Sequence, residues 1–123
     1  QRISRVDTLK IKELIANYEK SLVEAINTGD FSIVERYLAQ GSNLYKSQQK
    51  LVSNLYSKQT KEKLVTFSIQ AITSMGENTY KVSVVEKIGI KTAKQNVYTN
   101  KEFRWTYTVI VRNGHYFLSD IEK

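Results

Sequence analysis

From Asp7 to about Lys61, apolar residues recur every three or four positions; from Leu64 to the end they recur every second position. The first spacing belongs to amphipathic helices and the second to half-buried strands. The change happens once, so helices precede strands. That order predicts one α+β domain, with helices packed on one face of an antiparallel sheet.

The spacing predicts a first helix from about Asp7 to Thr28, with Ile11, Leu14, Ile15, Tyr18, Leu22, Ala25 and Ile26 on one stripe and Lys10, Lys12, Glu13, Lys20 and Glu24 outside it. Ser4 and Asp7 have capping-box spacing, and Gly29 suits the residue after the helix because it tolerates positive φ. A short second helix starts at Asp30, with Phe31, Val34, Tyr37 and Leu38 as its buried side, and ends at Gly41. Ser42 caps a third, carrying Leu44, Gln48, Leu51, Val52 and Leu55 to about Gln59.

Four strands are expected next. In the first, Leu64 to Ile72, residues Val65, Phe67, Ile69 and Ala71 alternate with polar neighbours. The second, Thr79 to about Lys91, sets Tyr80, Val82, Val84, Ile88 and Ile90 against Lys81, Ser83, Lys87 and Lys91. The third, about Tyr98 to Arg112, carries Phe103, Trp105, Tyr107, Val109 and Val111 on one side. Asn113-Gly114 suits a two-residue type I′ turn into the last strand, His115 to Ile121. In that strand Tyr116 and Leu118 point one way and Phe117 and Ile121 the other.

Composition narrows the chemistry. The chain has 123 residues, enough for one domain, and 41% hydrophobic residues, enough for a core. It has no cysteine, which excludes disulfides, thiolate metal sites and a cysteine nucleophile. The balance is +7, with 14 Lys and 5 Arg, which favours anionic partners such as a polyanionic wall polymer or lipid head group. Scattered lysines suit diffuse attraction, whereas bidentate phosphate recognition prefers arginine. In Arg104-Trp105-Thr106-Tyr107 the cation and the rings fall on opposite strand faces, which disfavours nucleic acid. No phosphate loop, nucleophile elbow or calcium loop is present, so no metal or cofactor is expected, and the single histidine, His115, reads as an exposed turn residue.

Three helices followed by a four-stranded meander resemble the nuclear transport factor 2-like (NTF2-like) cone, as do Asn17-Tyr18-Glu19-Lys20 and Ala25-Ile26-Asn27-Thr28-Gly29-Asp30-Phe31. Thr79-Tyr80-Lys81-Val82, Glu86-Lys87-Ile88-Gly89-Ile90 and the ending Leu118-Ser119-Asp120-Ile121-Glu122-Lys123 resemble the C-terminal domain of the teicoplanin-resistance-associated TcaA family. The resemblance implies a curved four-stranded sheet covered by three helices. It also implies an extracellular module of a membrane-anchored Gram-positive envelope protein, a fragment of a longer chain, with a link to glycopeptide susceptibility. A non-catalytic binding or scaffolding role follows, with an anionic cell-wall polymer or an envelope protein as partner. An isomerase-like small-molecule pocket and a homodimerisation surface are the alternatives.

The candidate pocket inside such a cone is Tyr18, Glu86, Trp105, Tyr107 and Asp120. Strict alternation puts Glu86 on the side of Val84 and Ile88, where a carboxylate is costly to ionise. A bulge near Val84-Val85 would turn it outward, and Arg104 on the next strand would pair with it. For Trp105 and Tyr107 the simpler expectation is packing of the sheet against the first helix.

Overall fold

A computed structural model of the protein describes residues 3–123. Helices α1 (Arg5–Thr28), α2 (Ser32–Glu35) and α3 (Asn43–Ser57) precede strands β1 (Lys61–Ser74), β2 (Thr79–Lys91), β3 (Thr99–Arg112) and β4 (His115–Glu122). The sheet runs β1-β2-β3-β4, every neighbour antiparallel. The helices pack on one face, making the expected NTF2-like α+β architecture.

Local chemistry sets the ends. Ser4 Oγ accepts from the Asp7 N–H, and Ser42 Oγ from that of Tyr45, so each supplies an oxygen to an unpaired first-turn amide. Gly29, at φ 76°, closes α1 with its N–H on the Ala25 carbonyl. Asn113 and Gly114 both have positive φ (52° and 79°), as the type I′ hairpin requires. The short α2 is followed by a segment docked on β4: Leu118 N–H bonds the Tyr37 carbonyl, and Ala39 N–H the Leu118 carbonyl. Ile11, Ile15, Tyr18 and Ile26 of α1 meet Val82, Val84, Tyr107, Val109 and Leu118 of the sheet in one continuous core.

Bulges revise the expected alternation in the outer strands. In β1 the register shifts between Leu64 and Thr66 and between Ile69 and Ala71. Each leaves one residue unopposed, so Leu64, Phe67, Ile69 and Ile72 pair with Ile88, Glu86, Val84 and Val82, the inward residues of β2. Val65 and Ala71, expected inside, are exposed. β1 also begins earlier than Leu64, at Lys61, which brings Glu62 opposite Ile90. In β4 the shift falls at Ser119: Leu118 pairs with Val109, but Asp120 pairs with Thr108 and Ile121 with Tyr107. Ile121 therefore joins Tyr116 and Leu118 on the helix-covered face instead of opposing them, and Asp120 goes to the other face.

Candidate functional site

Between α1, α3 and the upper half of the sheet the core is incomplete. A cavity of about 350 Å³ remains, bounded by Glu19, Leu22 and Val23 of α1, Gln48 and Leu51 of α3, and residues from all four strands. Its walls are largely apolar, with Ile88, Phe103, Trp105, Tyr107 and Ile121 on the sheet side, and three carboxyl groups enter it: Glu19, Glu62 and Glu86. Among the described residues no Lys, Arg or His lines it. A concave apolar space with a few convergent polar groups is the usual form of a small-molecule site.

Glu86 is held from the neighbouring strand. The β2–β3 register is unbroken, so no bulge rotates the side chain outward, and Glu86 faces the helices with Val84 and Ile88. Trp105 Nε1 donates to Glu86 Oε1 at 2.9 Å, and Tyr107 OH donates to Oε2 at 3.3 Å. Arg104 does not pair with it: Arg104 lies opposite Val85 on the outer face and bonds Glu102. The Phe103 and Trp105 rings stack with centroids 5.6 Å apart, forming one wall.

Glu62 is positioned by the end of α1. The Asn27 side chain accepts the Glu62 N–H at 2.8 Å and donates to the Glu62 carbonyl at 2.7 Å, as a strand residue would. Lys61 Nζ donates to the Asn27 carbonyl, so the start of β1 is tied to the helix at three points. Burial, with the charge of Glu86 adding to it, raises the Glu62 carboxyl to about 7.

Glu19 is the most enclosed of the three, only 4% exposed. Its Oε2 has no hydrogen-bond partner among the described residues. Burial first, then hydrogen bonding and like charge from Glu86, push its carboxyl well above the ordinary range, so it holds its proton at neutral pH.

Of the expected pocket residues, Glu86, Trp105 and Tyr107 come together in the cavity wall. Tyr18 lies behind it, fully buried, its OH accepting from Gln48 Nε2 at 2.7 Å and its ring edge-on to Tyr107 at 5.5 Å. Burial raises its phenol far above the usual value. Asp120 is outside: the Ser119 bulge turns it away, and it accepts from Asn43 Nδ2 at 3.3 Å.

Sequence reasoning missed Glu19 and Glu62. Glu19 carried a signal, for Ile15, Glu19, Leu22 and Ile26 follow helical spacing along the buried stripe. Glu62 was hidden by starting the strand too late, although it shares the parity of Leu64.

A four-stranded antiparallel sheet, three helices on one face and a cavity beneath them define an NTF2-like domain. Residues 8–122 match the family described as TcaA protein NTF2-like domain, and the chain belongs to that family. It is 32% identical over 112 residues to an uncharacterized membrane protein, YvbJ, of Bacillus subtilis, covering 88% of this chain and 18% of that protein. The chain thus spans under a fifth of that relative's length. Among solved structures it resembles the intermembrane space region of chloroplast protein ARC6 (TM-score 0.79, 10% identity, 99% and 97% of the two chains covered). It also resembles a ketosteroid isomerase-like protein from Erwinia carotovora atroseptica (TM-score 0.75, 8% identity, 96% and 95% covered). At these identities the likeness is one of fold. No helix among the described residues is long and apolar enough to cross a membrane.

Proposed function

We propose that this domain is a non-catalytic binding module on the extracellular face of a membrane-anchored envelope protein, where it holds an anionic cell-wall polymer. The observation that carries this reading is a basic, aromatic-edged groove of about 560 Å³. It lies between the end of α3, the start of β1 and the loop after β2, and is lined by Tyr56, Gln59, Lys61, Lys91 and Gln95. Lys61 lies over the Tyr56 ring at 5.8 Å, and Lys63 and Lys91 over that of Tyr98 at 4.7 and 5.3 Å. These contacts hold ammonium groups at the surface beside flat rings, an arrangement suited to a chain of alternating anions and sugars. A module on wall polymer near the membrane would also alter glycopeptide access, the link implied by the family name.

Co-sedimentation with purified Gram-positive walls, with and without teichoic acid, tests the reading across a salt series. Binding should require the polymer and weaken as the Debye length shrinks to roughly 10 Å near 0.1 M salt. A Lys91→Gln variant, which leaves the Lys61–Asn27 tie in place, should weaken it. Salt-resistant binding to stripped wall, or none to either, rejects the reading.

A second reading is favoured by the cavity itself, an unfilled volume with fixed polar groups: it is a site for a small ligand, separate from the groove.

A further inference from the structure

We infer that the cavity takes a primary ammonium group carried on a short apolar or aromatic body, with Glu19, Glu62 and Glu86 receiving its three N–H donors. The inference rests on the reading of the cavity as a ligand site and names the ligand's chemistry.

The first argument is charge. The chain carries 19 basic and 12 acidic residues, yet three of the acids line one cavity that, among the described residues, no Lys, Arg or His lines. Acids buried for structural reasons find a basic partner or a full set of donors. Glu86 has donors from Trp105 and Tyr107, but Glu19 is 4% exposed and its Oε2 is left without one. Burial pushes Glu19 and Glu62 upward; hydrogen bonding and like charge from Glu86 add to the rise at Glu19, and the Tyr107 hydroxyl offsets only part of it. A lining with these acids and no cation beside them suits a ligand that brings a cation or several donors.

The second argument is geometry. The groups entering the cavity come from different elements: Glu19 from α1, Glu62 from β1 and Glu86 from β2, with Tyr107 of β3 engaged by Glu86 and Tyr18 of α1 turned to Gln48. α3 and β4 contribute no ionisable side chain to the lining. An ammonium among the carboxyls offers three donors in a compact head. Beside them, Leu22, Leu51, Ile88 and the stacked Phe103–Trp105 wall, which meets Glu86 through the Trp105 indole N–H, provide apolar surface for the body, and an indole face attracts a cation further. A volume of about 350 Å³ is at the small end of ligand sites, which fits an arylalkyl or alkyl amine.

The proposal also links binding to protons. An ammonium favours the ionised carboxylates, so binding near pH 7 should release protons from Glu62 and Glu19, and affinity should rise with pH until the amine itself deprotonates.

The test is calorimetric titration of the domain with phenethylamine, 2-phenylethanol and 3-phenylpropionate, in buffers of different ionisation heat at pH 6 and 8. The Trp105 indole N–H resonance reports where each binds. The amine should bind at least tenfold more tightly than the alcohol, release protons, weaken at pH 6 and shift the Trp105 signal. Glu19→Gln and Glu86→Gln should each weaken the amine at least tenfold while the alcohol is little changed, which separates loss of the site from loss of the fold. Equal binding of amine and alcohol overturns the ammonium assignment and leaves the cavity as a ligand site. Preference for the propionate overturns it too. No binding of any probe up to millimolar concentration rejects both.

Discussion

Trp105 and Glu86 sit on adjacent strands but not opposite one another: Glu86 pairs with Phe103, and the 2.9 Å bond from the Trp105 indole reaches it diagonally. Diagonal neighbours on one sheet face lie roughly 7–8 Å apart between backbones, which only a long side chain spans. Trp105→Phe should therefore strand one carboxylate oxygen while keeping most of the apolar wall. Urea denaturation should show a loss of about 1–3 kcal/mol, and Trp105→Phe combined with Glu86→Gln should cost less than the sum of the two.

Glu19 and Glu62 make stability fall as pH rises. Each has a folded value above its unfolded 4.5, so the folded state binds more protons than the unfolded one between those limits. Their contribution is complete below about 4.5 and is lost as pH climbs, for Glu62 through about 7 and for Glu19 beyond it. Asp7 acts in the opposite sense. Its carboxyl is lowered below 3.8, chiefly by the Tyr116 hydroxyl and then by Ser4, so its contribution is present above 3.8 and lost on further acidification. Thermal melts should therefore peak in mildly acidic buffer, and Glu62→Gln should flatten the decline between pH 5 and 8.

Removing the buried acid should strengthen the fold. Glu19→Leu fills part of the cavity wall with an apolar group and removes an oxygen that has no partner. At pH 8 its Tm should exceed that of the native protein, because the buried Oε2 without a hydrogen-bond partner carries an uncompensated desolvation cost that an apolar side chain does not. A lower Tm would mean that Glu19 has a structural partner.

Tyr18 and Gln48 form a buried pair in the core, the amide donating to the phenol at 2.7 Å. Tyr18→Phe leaves the Gln48 N–H buried and unmatched and should cost about 1–3 kcal/mol. Adding Gln48→Met to it should recover much of that loss, since both polar groups are then gone.

Gly29 closes α1 at φ 76°, and a Cβ there would stand 2.7 Å from Cδ2 of the Tyr56 ring. Gly29→Ala therefore suffers both a left-handed backbone, roughly 1–2 kcal/mol, and a clash with a ring. Gly29→Ala should be clearly destabilising in urea, and Tyr56→Ala should relieve only the clash.

Much of this protein is legible in one dimension. The order of elements, the Ser4 and Ser42 caps, the Gly29 stop, the Asn113-Gly114 hairpin and the shared face of Trp105 and Tyr107 all follow from residue type and period, whereas the direction of Glu86, open between alternation and a bulge, was decided by the unbroken β2–β3 register. These are local properties: a cap needs an oxygen at a fixed offset, a type I′ turn needs positive φ, and a regular strand alternates by its own geometry. The bulges are not local. Which residue of β1 or β4 goes unopposed depends on the strand beside it, and the shift at Ser119 moved Asp120 out of the cone and Ile121 into it. The site's acidic character was also decided in three dimensions. Glu19, Glu62 and Glu86 are dozens of residues apart in the chain and gain a shared cavity, and their altered proton affinities, only when α1 closes over the sheet.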